Sequence, residues 1–485
     1  MTLSSNKLST GIAGLDEILH DGLIPGRTYL LSGGPGSGKT TLGVHYLLAG
    51  ANEGSLFISL GESESQLREN AAEMGLPLDK VSILDLSPGS DSEGDDAYSL
   101  LETWDVEGTA IHDRIVSHVE ELRPGRIFID SMSHMRYLSA DVFQYRKQVM
   151  SMLRRMTTGG ATVLFTSEQS HNQEDETLHF LSDGIIDLSV TEHGRQCRVL
   201  KLRGSGFVEG SHFYQISPRG LILFPRLAPG EHSRRFELES ISSGVPELDE
   251  LTHGGIERGT VTLISGPTGV GKTTLAAQYM KEAASRGERS VIYNFDEGAS
   301  TFFRRCQQIG LPVQQMVETG NLYFEAIEPL HYNPDQFSAM VRHEVENNGT
   351  RIVLLDSLSG YRQSVRGEDL QERIHALCRY LVNMGVTVLL VNETFSVTGE
   401  QLRVTEHEVS YLADTIILLR YLELEGEIRK TICVLKKRTG DFEKNLREFE
   451  ISRYGLKVGA PLSRLRGILS GMPEQLPEPG GEHRQ

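Results

Sequence analysis

Cysteine is scarce: the four in the chain, Cys197, Cys306, Cys378 and Cys433, stand far apart with no C-x-x-C pair. That pattern argues against both a disulfide framework and a zinc ribbon, and leaves buried free thiols as the expectation. No run of 18 consecutive apolar residues occurs, so no membrane-spanning helix is expected. The opening residues MTLSSNKLSTGIAG lack a basic segment followed by an apolar one, which predicts a cytoplasmic protein. Sixteen histidines are scattered without an H-E-x-x-H, and there is no acidic calcium loop, so no dedicated metal centre is expected. Positive charge is in deficit, with 48 Lys and Arg against 66 Asp and Glu and a net charge of −18, so the overall field repels nucleic acid and anionic membrane.

Glycine, by contrast, is concentrated where it has chemical meaning. Residues 33–40 read GGPGSGKT and residues 266–273 read GPTGVGKT. Both fit G-x-x-x-x-G-K-[ST], a loop whose backbone N–H groups turn inward around nucleotide phosphates. The candidate binding residues are Gly33, Gly34, Pro35, Gly36, Ser37, Gly38, Lys39, Thr40 and Thr41, with Gly266, Pro267, Thr268, Gly269, Val270, Gly271, Lys272, Thr273 and Thr274 in the second copy. Each lysine meets the β- and γ-phosphates, and Thr40 and Thr273 offer hydroxyls to Mg²⁺. A short β-branched run precedes each loop and a helical pattern follows it, which is the context the motif needs.

The loops belong to a larger repeat. STGIAGLDEILHDGLIPGRTYLLSGGPGSGKTTL at 9–42 aligns without a gap to SSGVPELDELTHGGIERGTVTLISGPTGVGKTTL at 242–275. Two domains follow, 1–228 and 241–470, joined by a Pro-, Gly- and charge-containing linker at 229–240. The Pro- and Glu-rich residues 471–485 read as a disordered tail. Strands alternate with helices in both halves, predicting an α/β fold in which a mostly parallel sheet is covered by helices on both faces.

Within each half one strand is apolar until a terminal aspartate: RIFID ends at Asp130 and RIVLLD at Asp356. A carboxylate there, beside the phosphate loop, is placed to orient the Mg²⁺ shell. Neither aspartate is followed by glutamate, so a base must come from elsewhere. The ends of the second strands supply candidates, Glu62 in LGES and Asp296 with Glu297 in FDEG.

The paired loops, these carboxylates and segments such as FLSDGIIDL, LKLRG, YLADTIILL and RGILSGMP make the chain resemble the KaiC family of clock ATPases, within the RecA-like group of P-loop proteins. The resemblance runs from about Leu8 to Pro473. It implies two tandem RecA-like domains in a double-ring hexamer with ATP between protomers, one ring chiefly an ATPase and the other an autokinase. Gly61-Glu62 and Asp296-Glu297 match the family's paired catalytic glutamates, with Gly61 a departure. Lys201 and Arg203, and Lys436 and Arg438, match a K-x-R strand that reaches a neighbour's γ-phosphate. Ser410 and Tyr411 match the family's phosphorylated pair, and Thr405 a further threonine.

The expectation is a Mg-ATP-dependent ATPase and serine/threonine autokinase, assembled by nucleotide into a homohexamer and read by a KaiB-like or other signalling protein. A RecA- or RadA-like DNA-dependent ATPase is the alternative on the same fold, and the acidic balance weighs against it. Because glycine cannot hold water, Gly61 predicts a first domain that binds ATP and turns it over slowly unless Glu62 substitutes.

Overall fold

A computed structural model describes residues 7–87, 104–137, 142–168, 176–328, 330–365, 369–394, 409–424, 426–468 and 474–475. The chain divides into two compact units, Met1–Arg226 and Leu227–Gln485. Each contains one nine-stranded sheet with the same strand order.

In the first unit the strands are β1 (Thr28–Gly33), β2 (Ser55–Ser59), β3 (Ser82–Asp85), β4 (Arg126–Asp130), β5 (Thr162–Glu168), β6 (Gly184–Thr191), β7 (Gly194–Leu202), β8 (His212–Ser217) and β9 (Gly220–Phe224). They are ordered β3-β2-β4-β5-β1-β6-β7-β8-β9, parallel as far as β6 and then an antiparallel meander. Central strands such as β1 are buried at every position, as parallel strands covered on both faces must be. Alternation divides the two faces: Phe128 joins one core cluster while Ile127 and Ile129 join the other. The second sheet repeats this around Val261–Gly266, with Leu354 on one face and Val353 and Leu355 on the other.

The helices after the loops, Lys39–Ala49 and Lys272–Ser285, pack on these faces. Gly43 lies against Phe128 so closely that an added Cβ would sit 2.1 Å from the ring. In the second unit Ala276 and Leu354 share the corresponding core. The smaller helix residue goes with the larger strand residue, which conserves packed volume.

Residues 229–240, read as a linker, lie against the second unit. Asn383 donates to the Pro229 carbonyl at 2.8 Å, His232 meets Tyr380 edge-on, and the Phe236 ring fills the space over Gly259 and Gly385. The apolar pattern missed this because the contacts are single residues set among charges. The tail beginning at 471 is likewise not wholly irregular: Glu474–Gln475 pairs with Leu465–Arg466, and Arg466 and Glu474 are ion-paired at 2.6 Å. The remainder of 471–485 lies outside the described residues, as does Thr405. Among the described residues no helix is long and apolar enough to cross a membrane.

Candidate functional site

Both phosphate loops sit at the carboxyl ends of their strands and open directly into a helix. Gly36 and Gly38, and Gly269 and Gly271, have φ between 68° and 116°, a left-handed region where glycine is unstrained. Those residues turn the chain tightly enough for the helix to begin at Lys39 and Lys272, and neither helix has a side-chain cap. The first-turn N–H groups and the positive end of the helix dipole therefore face an anion site. Cβ atoms at Gly34 and Gly36 would meet nothing within 4 Å, so the face above the first loop is open.

Lys39 Nζ donates to the carbonyls of Gly33 and Gly34 at 2.7 and 3.0 Å. Lys272 is 6% exposed and donates to the Pro267 carbonyl at 3.0 Å. Burial holds its ammonium below the ordinary lysine value, partly opposed by Glu393 and Asp356. Thr41 and Thr274 are buried beneath the loops.

Each loop threonine faces its strand-end aspartate. Thr40 Oγ1 donates to Asp130 Oδ2 at 2.6 Å, and Thr273 Oγ1 to Asp356 Oδ2 at 2.8 Å. Thr166, on the strand between them, donates to the other oxygen of Asp130 at 2.6 Å. Asp356 is buried, which pushes its carboxyl up to about 6 despite the Thr273 hydrogen bond. A buried carboxylate and hydroxyl beside an uncapped helix end are hard oxygen donors suited to a small divalent cation carried by phosphates.

The candidate bases differ between halves. The second-half cleft, of ≈ 500 Å³, is lined by Lys272, Thr273, Asn294, Asp296, Glu297, Arg305, Asp356, Glu393 and Lys430 among others. That volume is in the range of small-molecule sites. Asn294 Oδ1 accepts from the backbone N–H groups of Asp296 and Glu297 at 2.9 and 2.7 Å, fixing the turn that aims both carboxylates. Desolvation by surrounding protein lifts the Asp296 carboxyl above its usual range, opposed by a Ser357 hydrogen bond and reinforced by Glu393. Glu297 is ion-paired with Arg305. In the first half Glu62 is exposed, and its carboxylate has Asn70 at 3.5 Å.

Lys201 and Lys436 are turned onto their own chain. Lys201 Nζ donates to the carbonyls of His179 and Ser182 at 2.9 and 2.6 Å, and Lys436 Nζ to those of Ser410 and Ala413 at 3.3 and 2.7 Å. Arg203 and Arg438 point outward, 57% and 52% exposed, near Asp183 and Asp414. Register places all four at the edge opposite their own loops. Ile416 pairs with Lys436, while Thr415 pairs with Thr262 at the start of the phosphate-loop strand. Ile185 pairs with Lys201 and Gly184 with Tyr29 in the same way. The Thr262–Gly266 span alone is roughly 13 Å at the rise of a parallel strand. Ser410 and Tyr411, in the short turn of helix Val409–Tyr411 before that strand, share this amino-terminal edge.

Several residues at the two loops escape motif reading. Glu393, paired in register with Gly266, accepts from Thr268 at 3.2 Å and lies 3.8 Å from Lys272. Its signal was the repeated strand-end acid, since Glu168 pairs with Gly33 in the same position. Lys430 and Arg195 donate to loop carbonyls of Gly269 and Gly36, at 3.2 and 2.6 Å, from the strand of the antiparallel meander nearest the loop. No local pattern marks them.

Comparison with known proteins fits this geometry. A family model described as "ATPase: KaiC" matches residues 8–228 and again residues 241–463. The circadian clock oscillator protein KaiC 1 of Synechocystis sp. is 30% identical over 489 residues, 97% of this chain and 92% of that protein. KaiC of Parasynechococcus marenigrum is 28% identical over 487 residues, 97% and 93% of the two chains. KaiC of Picosynechococcus sp. is 29% identical over 489 residues, again 97% and 93%. With two copies of one domain model taking in nearly all of both units, and two phosphate loops built alike, the chain belongs to the KaiC ATPase family.

Proposed function

We propose that the protein binds Mg-ATP at both phosphate loops, hydrolyses it, and in its second domain transfers the γ-phosphoryl group to Ser410. One observation carries the reading: the same threonine–aspartate pair stands beside an uncapped loop helix in both halves, at 2.6 and 2.8 Å. Lys39 and Lys272 would turn from their loop carbonyls to the β- and γ-phosphates, and Thr40 with Asp130, and Thr273 with Asp356, would hold the Mg²⁺. When bound, that ion neutralises charge on the transferring group. Asp296 and Glu297 orient the attacking hydroxyl or water and take its proton.

The position of Ser410 supports transfer between protomers. Acceptor serine, Lys436 and Arg438 all lie at the amino-terminal edge of the sheet, while the loop of the same domain lies at the carboxyl edge. A neighbour's loop brought to that edge meets the acceptor and the arginine together, and the arginine stabilises the charge that develops. Lys201 and Arg203 have the same placement in the first domain. A nucleotide-dependent hexamer satisfies this geometry, and a KaiB-like protein or other signalling partner reads its state.

The test is incubation of the purified chain with Mg-ATP, followed by phosphate-release assay, site mapping by mass spectrometry and light scattering. Released phosphate, a phosphate on Ser410 and an ATP-dependent hexamer are expected. A monomer under all conditions overturns the trans arrangement, and rate stimulation by DNA would favour a DNA-dependent ATPase instead.

A further inference from the structure

The first domain lacks at Gly61 the carboxylate that Asp296 provides in the second. The two positions are equivalent by register: Ser59 pairs with Asp130 and Asn294 with Asp356, and Gly61 and Asp296 each follow two residues later. Among the differences around them, one falls three residues after the serine that succeeds each aspartate. That residue is His134 in the first half and Gly360 in the second.

The two differences fit each other. Ser357 lies close enough to Asp296 to hold its carboxyl down against burial, and a Cβ at Gly360 would stand 2.5 Å from Phe295 Cβ and 2.8 Å from Asp296 Oδ1, so glycine keeps that position clear. His134 Nδ1 lies 3.0 Å from Ser131 Oγ. A Cβ at Gly61 would stand 3.2 Å from His134 Cε1 and 3.5 Å from Nε2. Each half thus holds one proton-accepting side chain against the serine after its aspartate. In one it comes from the strand end and in the other from the helix opposite, and glycine clears the facing position both times. Glu62 makes no such approach, its carboxylate being turned toward Asn70.

We propose that His134 is the water-orienting base of the first domain, taking the role of Asp296; this rests on the reading of the first loop as an ATPase site. With Nδ1–H donating to Ser131 Oγ, Nε2 keeps its lone pair for a water proton. The water oxygen bonds to the γ-phosphorus as the bond from that phosphorus to the bridging oxygen breaks. ADP leaves with the electron pair, and the proton on Nε2 passes to solvent. The slow first domain expected from Gly61 alone gives way to a competent one.

The experiment uses the full chain with Asp296→Asn and Glu297→Gln, which silences the second site. In that background His134→Ala is expected to lower kcat by about 10²- to 10⁴-fold, with KM and two bound nucleotides per chain unchanged. The exchange Gly61→Asp with His134→Gly, which copies the second half, should return kcat to within about tenfold of the background, since a positioned carboxylate serves the same end. A readout independent of turnover is carbethoxylation of His134 by diethyl pyrocarbonate, mapped by mass spectrometry; ADP with aluminium fluoride should protect it. Retained turnover in His134→Ala, loss in Glu62→Gln instead, or a loss that the exchange does not repair would each overturn the assignment. A background chain that binds two nucleotides without hydrolysing either also overturns it and leaves the binding site standing. Failure to bind at the first loop sinks the ATPase reading of that domain itself.

Discussion

The Thr273 hydroxyl donates to an Asp356 oxygen at 2.8 Å although 83 residues separate the two in sequence. Asp356→Asn keeps an acceptor for that hydrogen bond and removes the charge that would hold Mg²⁺. Loss of a charge-assisted partner is worth about 1.5–3 kcal/mol, or about 10- to 150-fold in affinity. In a Mg²⁺ titration, the variant's second-domain nucleotide affinity should lose that much of its magnesium dependence and change little in EDTA.

Lys39→Ala and Lys272→Ala should each remove one class of bound nucleotide, because an anion cradled by backbone N–H groups loses the loop's own compensating ammonium. Equilibrium dialysis should then count one tight site per chain in either variant, against two in the parent. Two tight sites in both variants would contradict the roles assigned to these lysines.

The proposed supply of Arg438 across a subunit boundary is tested by complementation. Lys272→Ala and Arg438→Ala chains should each fail to phosphorylate Ser410. Mixed before assembly, they should recover part of it, since an intact loop on one protomer meets an intact arginine on the next. Recovery absent from assembled mixtures would place the arginine in its own domain's chemistry.

Gly43→Ala gains up to about 1 kcal/mol of helix propensity. Its Cβ would nevertheless lie 2.1–2.4 Å from Phe128 ring atoms, and overpacking costs about 1–3 kcal/mol. The variant should unfold at lower denaturant concentration than the parent, and adding Phe128→Leu, which reproduces the Ala276 and Leu354 pairing, should recover most of the loss.

Burial pushes the thiols of Cys197 and Cys378 up to about 12 and those of Cys306 and Cys433 to about 11. In the unfolded chain these groups ionise near their ordinary value of about 8.5, so above it the unfolded state binds fewer protons than the native one. This contribution is therefore present in full below that pH and is lost progressively as pH rises from it to the folded values of about 11 to 12. Denaturant midpoints should fall between pH 8 and pH 10, and by less in a Cys197→Ser, Cys378→Ser chain. At pH 8 iodoacetamide should label the native thiols far more slowly than those of the denatured chain.

Much of the fold was legible because its signals are local. The apolar strands, the glycine loops and the helices after them each lie within a dozen residues, and the repeat doubled every signal. The linker and tail were less legible: Phe236 is a single apolar residue among charges and the Glu474–Gln475 pairing is only two residues long, so neither shows in periodicity. Glu393 could have been found from its repeated strand-end position. Lys430 and Arg195 could not, because the pairing of their strands decides which side chains reach the loop.

The sequence by itself determined two α/β units, two phosphate loops and a carboxylate at the end of a strand in each, since these follow from residue type, spacing and period. Only the tertiary structure decided that Lys436, Arg438 and Ser410 lie at the edge opposite their own loop, because strand order and direction set which ends of distant segments meet. It also decided that Gly61 faces His134 as Gly360 faces Asp296. Those residues are 73 and 64 positions apart in sequence order, and parallel strands with long crossovers bring them together through hydrogen-bond register, which composition and periodicity do not specify.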